Sequence, residues 1–310
     1  MRVLGILLIM LLLSIPGPQE LKAEVSDCLE IQCDLKEELG EAEDENIQEE
    51  LEVEAEEEIK EAEEEIIGFK VDGLELSNGI IGEEVLRLKK FLKYRGYMDI
   101  AEGYVFDMKT RDAVMTYQRD NGLKVDGYVG KNTYEKINND IWSNNINIPE
   151  VEIAFTTEVL SGNWIVLNKD SNTLYYLNGD KILERYSVGT GKLPQYTPEG
   201  KFTIVTKFKN PRWGGAGRYK PIAGGAPNNP LGKRWMGLSI RGGGVYGIHG
   251  NSDRRSIGRY VSLGCIRMFN EDVEKLYEIV DIDTSVWIGD ESRLREYGVI
   301  FNYSLDIDEK

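Results

Sequence analysis

The sequence predicts a multidomain protein in which a small all-α three-helix bundle precedes a mostly β domain. Over residues 74–139, apolar residues recur at helical spacing in three segments. From residue 161 the pattern changes to short runs of β-branched and aromatic residues separated by turn signals. A chain of 310 residues is long enough for two domains of ordinary size with further targeting and connecting segments.

Residues 1–23 are typical of a secretory signal peptide. Arg2 precedes an apolar run over residues 3–15 that is too short to span a bilayer comfortably, and Ala23 ends a possible cleavage site. An uncleaved N-terminal membrane anchor is the alternative. We therefore expect a secreted, extracytoplasmic protein.

Residues 24–67 form an acidic, Glu-rich spacer that carries the excess negative charge of the chain. Residues 24–66 hold twenty-one acidic residues and two lysines, whereas the net charge of the whole chain is −17. Charge repulsion favours an extended or partly helical spacer over an acidic coiled coil or a cation-binding arm. Cys28 and Cys33 can close a small disulfide loop, but without a nearby histidine they fall short of a zinc site.

The segment 74–139 is predicted to fold as three helices joined by two matched loops. Asp107 or Thr110 is expected to cap the second helix, and Thr133 to open the third. The two loops repeat an acidic residue followed by Gly-Tyr-Val, at residues 102–105 and 126–129. This repeat indicates a pseudo-symmetric bundle. Its aromatic candidates for ligand binding are Tyr104, Phe106 and Tyr128, although each is equally suited to packing.

A linker over residues 140–160 leads to the β domain at residues 161–289, and residues 290–310 are expected to form a C-terminal tail. Strand-type runs occupy residues 164–167, 173–177 and 202–205, and Asn178-Gly179 predicts a tight hairpin. One helix follows near the end of the domain, with Asn270 as its expected cap.

The chemistry-bearing residues of the β domain are one cysteine and the only histidine of the chain. His249 lies sixteen residues before Cys265, and glycine adjoins both residues. An imidazole beside a thiol is the usual base or counter-ion of a cysteine nucleophile, so we expect a thiolate favoured near neutral pH. Glycine next to the nucleophile lets backbone N–H groups approach a reacting carbonyl. No basic domain remains to argue for nucleic-acid binding.

The stretch from His249 to Met268 resembles the signature of the L,D-transpeptidases of the YkuD type. The matching residues are His249-Gly250 and, after a spacer, Ser262-x-Gly264-Cys265-Ile266-Arg267-Met268. The resemblance covers residues 161–289 and implies a YkuD-like β fold.

By this resemblance, Cys265 is the nucleophile and His249 the general base and acid. Ser262 orients the histidine, Gly264 and Cys265 supply oxyanion N–H groups, and Arg267, Gly250 and Tyr246 bind substrate. Leu263 departs from the pattern, because many relatives carry a second histidine at that position. This difference concerns donor or acceptor preference and leaves the dyad intact.

Residues 74–139 resemble the peptidoglycan-binding domain of the PGBD type. The resemblance rests on Ala113, Val114 and Gln118, and on the Gly-Leu-x-x-Asp-Gly-x-Val-Gly pattern of residues 122–130. Together the two resemblances imply an enzyme held on peptidoglycan, with a stem tetrapeptide as acyl donor and the amine of a diamino acid as acceptor.

The implied reaction uses no metal and no organic cofactor, and carbapenem-type inhibitors are expected to acylate the cysteine. An L,D-carboxypeptidase or another stem-peptide hydrolase on the same dyad is the alternative. A non-catalytic wall-binding protein is a third hypothesis. The single histidine argues against a His-rich zinc peptidase, and the chain lacks the Ser-x-x-Lys motif of penicillin-binding enzymes at this site.

Overall fold

The helices of the first domain form where the apolar periodicity predicts them. The computed structural model describes residues 66–303, which belong to one compact unit. The helices are α1 (Glu83–Tyr94), α2 (Met108–Asp120) and α3 (Lys131–Ser143). Of the two predicted caps of α2, Asp107 has this role, because its carboxylate accepts the Thr110 N–H at 2.8 Å. The predicted signal peptide, most of the acidic spacer and both N-terminal cysteines lie outside the described residues.

The two matched loops of the bundle both pair with the segment before α1. Val105 forms an isolated antiparallel bridge with Ile81, and Val129 forms one with Leu76. Gln118 braces the second loop by accepting the Gly127 N–H at 2.9 Å and donating to the Tyr128 carbonyl at 2.8 Å. The structure therefore contains the pseudo-symmetry that the repeat predicts.

The three aromatic candidates of these loops have different environments. Phe106 is fully buried in the core of the bundle, so it packs and offers no ligand surface. The hydroxyl of Tyr104 donates to the Glu291 carboxylate at 2.6 Å, which places this side chain against the C-terminal part of the chain. Tyr128 alone of the three is exposed.

The β domain is built on one eight-stranded sheet. Among the described residues the strands are β1 (Glu152–Phe155), β2 (Asn163–Asn168), β3 (Thr173–Asn178), β4 (Lys181–Ser187), β5 (Thr190–Gly191), β6 (Gly200–Lys209), β7 (Arg234–Leu238), β8 (Gly247–His249), β9 (Tyr260–Ser262), β10 (Ile266–Arg267), β11 (Ser285–Gly289) and β12 (Val299–Asn302). The order of strands in the main sheet is β10-β8-β7-β6-β11-β2-β3-β4. The predicted strand runs fall in β2, β3 and β6, and the predicted hairpin joins β3 to β4. Two further pairs, β1 with β12 and β5 with β9, lie outside the main sheet.

Two helices complete this domain, α4 (Asn270–Ile279) and α5 (Glu291–Glu296). The predicted cap of α4 is wrong, because Asn270 is already the first helical residue and its amide donates to the Asn251 carbonyl at 2.9 Å. Val273, Leu276 and Val280 are fully buried against the sheet. This apolar face fixes α4 beside β7 and β8.

The segments predicted as a linker and a tail contain regular structure. Strand β1 falls in the predicted linker and pairs with β12, which falls in the predicted tail together with α5. Val151, Val299 and Phe301 are buried in a shared apolar cluster, so these segments belong to the β domain. The prediction missed this pair because its strands are short and lie far apart in the sequence.

The bundle and the β domain share a hydrophobic core. Ile257 and Phe269, which flank the predicted nucleophile in the chain, lie in the same buried cluster as the bundle residues Leu74, Ile80 and Val85. The Ile81 N–H also donates to the Gly258 carbonyl at 2.8 Å. The two predicted domains therefore pack as one body.

Candidate active site

Cys265 and His249 come together because two short strands pair in parallel at the edge of the sheet. In the register of β10 with β8, Ile266 lies opposite Ile248 and Arg267 lies opposite His249. Cys265 immediately precedes β10, so this register carries it beside Gly247, two residues before the histidine. The spacing noted in the sequence thus corresponds to neighbouring strands.

The hydrogen bonds of His249 fix its tautomer. The ring is buried and its Nδ1 lies 2.5 Å from the Gly250 carbonyl oxygen. Because a carbonyl can only accept, Nδ1 carries the proton and Nε2 keeps its lone pair. The indole of Trp235 stacks on the imidazole, with ring centroids 5.7 Å apart and an interplanar angle of 15°. His249 is therefore held as a neutral base with one free nitrogen.

The protonation states of the two residues differ from the expected thiolate and imidazolium. Burial lowers the pKa of His249 to about 4. The hydrogen bond with Gly250 opposes this shift, and the positive charge of Arg267 adds to it. Burial likewise raises the pKa of Cys265, although a backbone hydrogen bond from Gly247 and the charge of Arg267 oppose the shift. At neutral pH the resting pair is thus a thiol and a neutral imidazole.

The contact of the thiol agrees with a protonated sulfur. Cys265 Sγ donates to the Val245 carbonyl oxygen at 3.4 Å. Rotation about the Cβ–Sγ bond would turn this proton from Val245 toward another acceptor. A neutral imidazole with a free Nε2 is the kind of acceptor that general base catalysis requires.

Ser262 does not have the role that the sequence analysis gives it. Its hydroxyl donates to the Cys265 carbonyl at 2.7 Å and accepts the Gly264 N–H at 3.0 Å. It therefore braces the turn that carries Cys265 and makes no hydrogen bond to His249. The same bond occupies the Gly264 N–H, so in this state Gly264 is not a free oxyanion donor, contrary to the prediction.

Gly264 is required by conformation and by close packing. Its φ of +133° is rarely adopted by residues with a side chain, and a Cβ there would lie 2.3 Å from the Tyr196 carbonyl oxygen. The Thr197 hydroxyl donates to the Gly264 carbonyl at 3.1 Å and accepts the Gly191 N–H at 2.9 Å. The turn before Cys265 is thus fixed from the segment after β5 as well.

The predicted substrate-binding residues occupy different positions. Arg267 is half-buried, and among residues 66–303 its guanidinium has no ion pair or side-chain hydrogen bond, so it is available to a carboxylate. The ring of Tyr246 lies beside Gly264, where it can border bound substrate. Gly250 is buried behind His249 and positions that residue through its carbonyl, which corrects its predicted contact with substrate. Leu263 is 66% exposed and points away from the core.

Three residues to which the sequence analysis assigned no role support the site. Trp235 stacks on His249, Thr197 holds Gly264, and Tyr196 packs against the same glycine. Thr197 lies in a Thr-Pro-Glu-Gly motif that could have indicated a role. For Trp235, only the register of β7 with β8, which pairs it with His249, reveals the contact.

The described part of the chain contains no cluster of three or more His, Cys, Asp or Glu side chains arranged to hold a metal ion. None of the helices between residues 66 and 303 is both long and apolar enough to cross a membrane.

Comparisons with known proteins identify relatives for both domains. The family model described as L,D-transpeptidase catalytic domain (YkuD) matches residues 162–288, and the one described as "Putative peptidoglycan binding domain" matches residues 81–137. "Putative L,D-transpeptidase YqjB" of Bacillus subtilis is 42% identical over 132 residues, which cover 42% of this chain and 73% of that protein. "Putative L,D-transpeptidase YkuD" of Bacillus licheniformis is 37% identical over 124 residues, covering 40% of this chain and 64% of that protein.

Among solved structures, the crystal structure of the L,D-transpeptidase (residues 123–326) from Xylanimonas cellulosilytica aligns with a TM-score of 0.36 at 20% identity. The alignment covers 71% of this chain and 100% of that one.

Proposed function

Because this chain belongs to the YkuD family of L,D-transpeptidases, we propose that it cross-links peptidoglycan stem peptides through a thioester on Cys265. The observation that carries the proposal is the parallel pairing of β8 with β10, combined with the bond from His249 Nδ1 to Gly250. Together they leave a free Nε2 lone pair on the strand next to Cys265. This arrangement suits acyl transfer by a cysteine nucleophile with a neutral histidine base.

In the acylation step, His249 Nε2 takes the thiol proton as Cys265 Sγ attacks a stem-peptide carbonyl. The attacked carbonyl joins the diamino acid at the third position to the terminal D-alanine. The tetrahedral intermediate collapses when its C–N bond breaks and the leaving amine receives the proton from His249. The products are free D-alanine and a thioester on Cys265.

In the second step, the side-chain amine of a neighbouring stem attacks the thioester. His249 accepts a proton from this amine and the C–S bond breaks. His249 then returns the proton to Sγ, which regenerates the thiol. The result is a direct amide bond between two diamino acids. Water in place of the amine gives the L,D-carboxypeptidase reaction, which is the alternative outcome at the same dyad.

Two groups beside the dyad complete the proposed site. The Cys265 N–H is our candidate oxyanion donor, because the Gly264 N–H is engaged by the Ser262 hydroxyl. Arg267 would bind a substrate carboxylate through its planar guanidinium, since it lies opposite His249 and lacks a partner in the described part of the chain. No metal or organic cofactor enters this scheme.

The helical bundle would hold the enzyme on the polymer and raise the local concentration of stem peptides at the dyad. This role rests on the match to a peptidoglycan-binding family. It fits the proposed location, in which the mature protein is exported and acts at the cell wall. Carbapenem-type β-lactams are the inhibitors expected at Cys265.

The test compares the wild type with Cys265→Ala on a disaccharide tetrapeptide, with muropeptides identified by mass spectrometry. We expect wild-type protein to release D-alanine and form a tripeptide-linked dimer, and Cys265→Ala to do neither. The matched control is Cys28→Ala, which should retain full activity. Release of D-alanine by Cys265→Ala at the wild-type rate would contradict the thioester, whereas tripeptide without dimer would identify a carboxypeptidase.

A further inference from the structure

The chain between the two dyad residues is held on both sides. We call residues 250–264 the dyad segment, because they begin directly after His249 and end directly before Cys265. One side of this segment contacts the helical bundle, and the other contacts β5 and its neighbours in the β domain.

On the bundle side, the segment inserts an apolar residue and forms backbone hydrogen bonds. Ile257 is fully buried in the bundle core. The Gly258 carbonyl accepts the Ile81 N–H at 2.8 Å, and a Cβ at Gly258 would lie 3.0 Å from Leu74 Cδ2. The Arg259 guanidinium adds a hydrogen bond to the Asn78 carbonyl at 3.3 Å. The bundle therefore contacts three consecutive residues of the dyad segment.

On the sheet side, the same residues are tied to the strands beside the active site. The Gly258 N–H donates to the Val188 carbonyl at 2.9 Å, and the Arg259 carbonyl accepts the Thr190 N–H at 3.1 Å. β9 follows at once and pairs with β5, so Ser262 lies opposite Gly191. Ser262 then fixes the Cys265 carbonyl. A continuous path of bonds connects the bundle contact to the nucleophile.

The far end of the site has a second such contact. Phe269, which follows β10, is buried in the bundle core. The N–H of Met268, which lies between β10 and Phe269, donates to the His249 carbonyl at 2.9 Å. The bundle thus holds the chain on both sides of Cys265, at Ile257 and at Phe269.

We infer that the bundle is a structural part of the active site and that Ile257 is a positioning residue, which sets the placement of Cys265 against His249 through the dyad segment. This inference rests on the proposed function only in taking Cys265 and His249 as the reacting pair. A tethered binding module would leave the dyad unaffected by changes at the contact. If the bundle completes the active site, the fraction of molecules in which Cys265 is correctly placed against His249 depends on that contact. The observed reactivity scales with this fraction.

The test uses the full chain and compares Ile257→Ala with Ile137→Ala. Ile137 lies on α3, is also fully buried, and belongs to the same hydrophobic core, so both substitutions remove the same atoms from that core. Ile257→Val and Ile137→Val form a milder pair, which is compared if an alanine variant does not fold. Thermal unfolding establishes the folded fraction of each variant.

The first measurement is the pH dependence of Cys265 alkylation by iodoacetamide, followed by peptide mapping so that Cys28 and Cys33 are counted separately. Burial raises the pKa of the Cys265 thiol, and a loosened dyad segment would hydrate it. We expect Ile257→Ala to move the midpoint toward lower pH and to speed alkylation at pH 8 at least threefold. Ile137→Ala should keep the wild-type pH profile, and Ile257→Val should differ from the wild type much less than Ile257→Ala does.

The second measurement is turnover of disaccharide tetrapeptide by the folded fraction. Ile257→Ala should lower kcat at least tenfold with a smaller change in KM, while Ile137→Ala should change kcat less than twofold. Equal effects of the two substitutions on both readouts, or none from Ile257→Ala, would overturn the inference. If wild-type protein turns over no stem peptide, the proposed function fails, yet the alkylation profiles still decide the positioning role.

Discussion

Gly264→Ala is expected to disable the site while leaving the fold largely intact. At φ +133° an alanine is strained by about 1–3 kcal/mol. Its Cβ would also lie 2.3 Å from the Tyr196 carbonyl oxygen and 2.7 Å from Tyr246 Cε1. An ordinary carbon–oxygen contact needs about 1 Å more than this, so the turn before Cys265 must move by a similar distance. A misplacement of about 1 Å can reduce the rate about 100-fold.

The assay measures kcat for D-alanine release and the melting temperature of the same samples. For a domain of this size, each kcal/mol lowers the melting temperature by about 2–4 °C. Gly179→Ala is the matched control, because Gly179 also has a positive φ, +59°, but no atom lies within 4 Å of the added Cβ. The control should lose stability and keep its kcat. Wild-type kcat in Gly264→Ala would refute the reasoning that close packing at this turn positions the nucleophile.

Three further predictions address the electrostatics and support of the site. Burial raises the pKa of Cys265 and lowers that of His249 to about 4, so the alkylation rate of the cysteine should rise only at alkaline pH. A rate plateau between about pH 5 and 8, from a thiolate paired with imidazolium, would contradict this. Burial raises the pKa of Glu83 to about 8, so the free energy of unfolding should fall by up to about 3 kcal/mol as pH rises from 5.5 to 8. Urea unfolding of Glu83→Gln should lack this loss. The same pH dependence in Glu83→Gln as in the wild type would count against the buried carboxyl. Trp235→Leu removes the ring stacked on His249 and should reduce kcat about tenfold. The control Trp142→Leu, at an exposed position on α3, should leave kcat unchanged. Equal kcat values in the two variants would argue that the stacking is unimportant.

The pair Cys265 and His249 is predicted from a local signal. The single histidine and the glycine-flanked cysteine resemble the YkuD signature in residue type and spacing, and the structure places their strands side by side. The helices are predictable for the same reason, since apolar periodicity and the Asp107 cap are properties of neighbouring residues.

Features that depend on distant contacts are not predictable from these patterns. The pairing of β1 with β12 joins residues about 150 positions apart, so their segments resemble a linker and a tail in the sequence. The neutral thiol follows from burial, which only the folded chain determines. The role of Ser262 follows from the turn geometry, in which its hydroxyl donates to the Cys265 carbonyl.

The shared core of the two domains is another such feature. Ile257 and Phe269 are unremarkable apolar residues in the sequence, and their spacing suits the interior of the β domain equally well. The structure instead buries both in the helical bundle. Domain boundaries inferred from composition therefore do not reveal that the binding module and the dyad segment pack together.

Trapping the acyl-enzyme tests the central claim most directly. Full-length protein is mixed with disaccharide tetrapeptide without an acceptor, quenched in acid within the first turnover, and examined by intact mass spectrometry and peptide mapping. The account predicts an adduct with the mass of the donor minus D-alanine, carried by the peptide that contains Cys265 and absent from Cys265→Ser. D-alanine release with no adduct on that peptide, or with an adduct on a different residue, would contradict it.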